Sequence, residues 1–174
     1  MMKRISFFAF AALVMSACTA YSQDHYETSK DVDGGKIFKG LISRTLIETD
    51  TSFKWYAQNI KPFTPDKNAI AGLQKYKDSL QFIVFMGTWC EDSHFVIPRF
   101  FSLLDAGSYS SGKVSLIGVD RNKQAPDNLS ESLHVTNVPT IIVMKNGKEL
   151  GRVVEYGKSG LFDKDLGQVI NPGK

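Results

Sequence analysis

Cys90 is the residue of this 174-residue chain with the clearest chemical potential. It stands in Gly87-Thr88-Trp89-Cys90-Glu91-Asp92-Ser93, directly after an apolar run, Phe82 to Met86. A thiolate is a nucleophile towards disulfides, and a helix N-terminus suits it, because unpaired N–H groups and the helix dipole favour negative sulfur. Such a terminus contributes about 0.3–1 kcal/mol, up to about 2 when partly buried. Glu91 and Asp92 oppose it. A carboxylate at roughly 7 Å costs a thiolate about 0.6 kcal/mol at a dielectric of roughly 80 and about 2.4 at roughly 20. The terms are of similar size, so the sequence leaves open whether Cys90 is activated. A protonated His94 would favour the thiolate; a plain surface histidine would not.

The elements needed to hold Cys90 follow from the pattern. Phe82 to Met86 is continuous and partly β-branched, as in a strand buried on both faces. Ile97, Phe100, Phe101 and Leu104 form a helical stripe after Cys90. Pro98 falls inside that helix. Asp66 reads as the cap of an earlier helix through Ile70, Leu73 and Tyr76. Downstream come a strand over Val114 to Val119, a short helix over Leu129 to Leu133, and a strand over Val138 to Met144. Asn146-Gly147 marks a tight hairpin, followed by a strand over Glu149 to Glu155 and a last helix over Leu161 to Ile170. This β-α-β-α-β-β-α order gives one sheet with a parallel half and a hairpin half.

Across about residues 66–170 the sequence resembles the thioredoxin family. Trp89-Cys90-Glu91-Asp92-Ser93 stands where that family has Trp-Cys-x-x-Cys. Pro98 matches the proline of its active-site helix, and Val138-Pro139-Thr140 matches its cis-proline loop. The hairpin at Lys145 to Lys148 and the later Gly157 also match. The resemblance implies a thioredoxin-like α/β fold: a central mixed sheet flanked by helices, with a short N-terminal extension. It also implies Cys90 and Ser93 as catalytic residues, and Trp89, Val138, Pro139 and Thr140 as substrate-binding ones.

Two departures matter. Ser93 occupies the place of the second cysteine and cannot close a disulfide. Val84 stands where many members carry a buried aspartate that serves the second thiol. The implied activity is therefore monothiol thiol–disulfide exchange on protein or peptide substrates, without a cofactor. The alternative is a non-catalytic module that keeps the fold for its peptide groove. A peroxiredoxin-type peroxidase would need Thr three residues before the cysteine, where Gly87 stands. One thiol and three scattered histidines, His25, His94 and His134, give no metal site by spacing.

The chain start suggests export. Lys3-Arg4, an apolar stretch from Ile5 to Met15, and small residues to Ala20 read as a signal peptide over residues 1–20. Met15-Ser16-Ala17-Cys18 also reads as a lipoprotein box, with lipidation at Cys18 and a membrane tether; simple cleavage near Ala20 is the rival. Either way the expected site is the bacterial periplasm or cell envelope. Residues 21–35 read as a linker. Residues 36–65 read as an extension of two short, mostly helical elements packed on a domain at 66–174, with Trp55 and Tyr56 as core or lid residues. Net charge is +3 with no basic stripe, which gives nucleic-acid binding no electrostatic support.

Overall fold

The structure, a computed structural model, describes residues 25–60 and 63–173. The proposed signal segment and Cys18 lie outside them. Six strands form one sheet: β1 (Tyr26–Lys30), β2 (Lys36–Ile42), β3 (Leu80–Met86), β4 (Val114–Gly118), β5 (Thr140–Lys145) and β6 (Lys148–Val154). Their spatial order is β1-β2-β4-β3-β5-β6. β3 and β4 are parallel, and the other neighbours are antiparallel. The helices are α1 (Arg44–Thr49), α2 (Trp55–Ile60), α3 (Lys67–Tyr76), α4 (Glu91–Ala106), α5 (Leu129–Ser132) and α6 (Phe162–Ile170). The mixed sheet flanked by helices is the expected fold class.

Strand alternation divides the core between the two faces of the sheet. Phe82, Val84, Leu116, Ile141 and Val143 face one side, with Leu73, Phe100, Leu104 and Leu166 from α3, α4 and α6 packed among them. Phe85, Ile117 and Ile142 face the other, where Val119, Ala125, Val135 and Val138 cover them. Local signals start the helices where the sequence places them. Asp66 caps α3 by accepting the Ala69 N–H at 2.9 Å. Val84 is fully buried, so the strand beneath Cys90 carries a hydrocarbon side chain where the resemblance would allow an acid.

The N-terminal third differs from the sequence reading. The expected linker contains β1, and the first element of the expected helical extension is the strand β2. The two form a hairpin, Tyr26↔Gly40 to Lys30↔Lys36. β2 then pairs with β4 from Gly40↔Gly118 to Ile42↔Leu116. Ile37, Phe38, Leu41 and Ile42 fit helical spacing loosely, but β-branched content and pairing with β4 decide for a strand. Gly40 has φ +125°, and a Cβ there would lie 2.4 Å from the His25 carbonyl oxygen, so this crossing needs glycine. Only α1 and α2 are helical, with Ile47 and Tyr56 buried in the same core as Phe38 and Phe53. Tyr56 is thus a core residue.

Candidate active site

Cys90 is the N-cap of α4, with extended backbone (φ −99°, ψ 121°) and no side-chain capping bond. The chain reaches it from β3 through a tight turn closed by Cys90 N–H donating to the Gly87 carbonyl at 3.0 Å. The thiol is half-buried. Its Sγ donates to the carbonyl oxygen of Val138 at 3.3 Å, and the Val138–Pro139 bond that follows is cis. The sulfur and the cis-proline loop therefore meet. A thiolate has no proton for that carbonyl, so this bond belongs to the protonated form, and an attacking sulfur must leave it.

The other expected site residues are placed as follows. Ser93 lies in the first turn of α4 but is fully buried, and its Oγ accepts the Gly87 N–H at 3.2 Å. Among the described residues no hydrogen bond joins that hydroxyl to Cys90. Ser93 thus braces the turn that carries the cysteine. Val138 and Thr140 are also buried. The Thr140 Oγ1 donates to the Asn137 carbonyl at 2.7 Å, so what these residues offer an incoming chain is backbone. The Trp89 indole Nε1 donates to the Val119 carbonyl at 3.0 Å, and its ring lies against Gly87, where a Cβ would meet it at 2.7 Å.

Several contributors were missed in the sequence. The Arg121 guanidinium stands 5.0 Å from the Trp89 ring centroid and grips Asp31 of the β1–β2 turn through two carboxylate oxygens. The bond from Arg121 lowers the pKa of Asp31, and the bond to Asp31 raises that of Arg121. Thr88 ties the turn that carries Cys90 to β2: its Oγ1 accepts the Phe38 N–H at 3.2 Å and donates to the Lys36 carbonyl at 2.9 Å. Trp55 stacks on His94 with centroids 4.2 Å apart. Burial lowers the His94 pKa, against the Thr88 carbonyl and Glu91, which raise it. His94 Nε2 lies 2.7 Å from the Thr88 carbonyl, so that nitrogen carries the proton in the neutral ring. Between the hairpin and the turn lies a cavity of about 350 Å³ lined by Gly35, Lys36, Trp55, Thr88, Trp89 and His94, among others. The only signals for these contacts in the sequence were single Arg, Thr and Trp residues far apart along the chain.

Cys90 is the free cysteine among the described residues. No group of three or more His, Cys, Asp or Glu there could hold a metal ion. No described helix is long and apolar enough to cross a membrane. The site offers one thiol, a cis-proline carbonyl edge and a hydrocarbon floor.

The thioredoxin family profile matches residues 65–165. A thioredoxin of Echinococcus granulosus is 33% identical over 84 residues, covering 48% of this chain and 73% of the relative. Among solved structures, an HIV epitope scaffold superposes with a TM-score of 0.52 at 16% identity, over 75% of this chain and 90% of the scaffold. A protein of unknown function from Pseudomonas aeruginosa gives a TM-score of 0.48 at 15% identity, over 70% of this chain and 83% of that protein. The scaffold's likeness concerns the fold alone. The profile covers more than half of the chain and the relative agrees with it: the chain belongs to the thioredoxin family.

Proposed function

We propose that the protein performs monothiol thiol–disulfide exchange on protein or peptide substrates through Cys90. The observation that carries this reading is the Cys90 Sγ held 3.3 Å from the carbonyl that precedes cis-Pro139. The extended backbone there suits pairing with a substrate strand beside the sulfur. In the first step the Cys90 thiolate attacks one sulfur of a substrate disulfide. A mixed disulfide forms, the substrate S–S bond breaks, and the departing sulfur leaves as a thiolate that takes a proton from water. Ser93 has no sulfur to offer, so release falls to a second thiol of the substrate or to a small-molecule thiol. That thiol loses its proton, attacks the mixed disulfide and returns Cys90 as a thiolate. Attack from the substrate's own thiol gives isomerisation with no net redox change. Two external thiols give net reduction and are themselves oxidised to a disulfide.

The positive, apolar and small-residue start of the chain supports an extracytoplasmic setting, with Cys18 as a site of lipid attachment. The test of the exchange reading is trapping of disulfide partners. Wild-type protein should yield mixed disulfides that dithiothreitol releases, and Cys90→Ala should yield none. Partners captured equally well by Cys90→Ala would replace exchange with a binding module. That second reading keeps the backbone edge at Val138-Pro139-Thr140 as a peptide groove and makes no use of the thiol.

A further inference from the structure

The charges around Cys90 come from several elements. Glu91, Asp92 and His94 belong to α4, Arg121 follows β4, and Glu155 and Tyr156 follow β6. Asp92 is the one among the acids with a phenol on it: the Tyr156 hydroxyl donates to its Oδ1 at 2.9 Å. The Tyr156 ring is itself fixed. It meets Phe95 edge-on at 5.3 Å, and the Arg99 guanidinium lies 3.4 Å from the centroid of that Phe95 ring.

The backbone beneath Tyr156 is tied to the cis-proline loop. Glu155 N–H donates to the Pro139 carbonyl at 2.7 Å, and Asn137 Nδ2 donates to Glu155 Oε1 at 2.7 Å. Glu155 sits at φ 53°, a left-handed conformation that a non-glycine residue adopts only when its surroundings hold it. Tyr156 therefore leaves a pinned residue and reaches from the substrate loop to the first turn of α4.

We propose that Tyr156 is a positioning residue for the exchange reaction: its hydroxyl holds the Asp92 carboxylate and takes up part of its charge, so that Cys90 ionises beside a muted acid. The inference rests on the reading of Cys90 as the nucleophile. The phenol responds to both neighbours: burial first, then Asp92 and Cys90, push its pKa up to about 12. It stays protonated, and a donor, at neutral pH. A hydrogen bond to an ionised acceptor is about twice as strong as a neutral one, and its loss exposes Cys90 to the full carboxylate. The Asn137–Glu155–Tyr156 chain also links the loop that receives substrate to the field at the sulfur.

The test is the pH profile of iodoacetamide alkylation of Cys90, read by mass spectrometry of the Cys90 peptide, in wild type, Tyr156→Phe, Asp92→Asn and the double variant. Tyr156→Phe keeps the ring on Phe95. It should move the profile to higher pH and slow alkylation at neutral pH about threefold, roughly half a pH unit. Asp92→Asn should move the profile to lower pH, and adding Tyr156→Phe to it should change nothing further. An unmoved profile in Tyr156→Phe, a move to lower pH, or an equal shift in both backgrounds would overturn the proposal. So would an Asp92→Asn variant with the wild-type profile, which keeps the test decisive if Tyr156→Phe folds poorly. Alkylation needs no substrate disulfide, so failure to trap partners would remove the exchange reading while leaving the Tyr156 result legible.

Discussion

Thr88 Oγ1 accepts the backbone N–H of Phe38 at 3.2 Å, fifty residues earlier in the chain. The same hydroxyl donates to the Lys36 carbonyl. One side chain of the active-site turn thus supplies both hydrogen-bonding partners that β2 needs at that point. Thr88→Val preserves shape and removes both. A buried group left without a partner costs about 1–3 kcal/mol. The expected loss in urea denaturation is about 2 kcal/mol, with Thr88→Ser close to wild type. A Thr88→Val protein as stable as wild type would mean water replaces the hydroxyl.

Gly40→Ala tests the hairpin separately. The left-handed φ and the carbonyl 2.4 Å from the added Cβ leave β1 no way to keep its register. Hydrogen exchange should show loss of protection over Tyr26–Lys30, with β3 and α4 still protected. Unchanged exchange in β1 would contradict the close approach at Gly40.

Ser93→Cys restores a two-thiol sequence at the start of α4. The new sulfur accepts the Gly87 N–H poorly, which costs about 1 kcal/mol. In return the mixed disulfide gains an internal thiol to resolve it. Insulin reduction in the presence of dithiothreitol should rise well above wild type. No gain would show that geometry around Ser93 prevents the second thiol from reaching Cys90.

Acidification should act through His94 first. Burial lowers its folded pKa below the ordinary histidine value of 6.5, so the unfolded chain takes up the proton before the folded one does. Stability is complete above that value and declines as pH falls through the interval down to the folded value. The paired carboxylates respond lower. Burial would raise Asp50, but Lys36 and Ser52 outweigh it and hold the acid at about 2, and its contribution fades only as pH falls from the ordinary carboxylate value towards that figure. The urea midpoint should drop between pH 7.5 and 5, and His94→Gln, which keeps a donor for the Thr88 carbonyl, should remove much of that drop. Equal drops in both proteins would remove His94 as the cause.

The core of the fold was legible because its signals are local. The apolar β3 run, the Asp66 cap, the Asn146-Gly147 turn and the Val138-Pro139 pair each declare themselves within a few residues. The hairpin was not, because nothing near Ile37 or Phe38 says that β4 lies beside them; that pairing is decided by tertiary packing. The site divides in the same way. Cys90 and Pro139 were visible in sequence. The bracing role of Ser93 and the contacts of Arg121 and Tyr156 depend on chain segments that only the fold brings together.

The placement of β2 against β4 also bears on how the molecule acquires its fold. The β1–β2 hairpin closes over a handful of residues, and β5–β6 does the same. β2 pairs with a strand more than seventy residues further along the chain, Gly40 with Gly118 and Ile42 with Leu116. Non-local pairings of this kind lower folding rates, since chain closure is paid before the contact forms. The pairing that brings the anchors of Thr88 and Arg121 into place therefore belongs with the slow, long-range contacts of the fold, alongside that of α3 with α6.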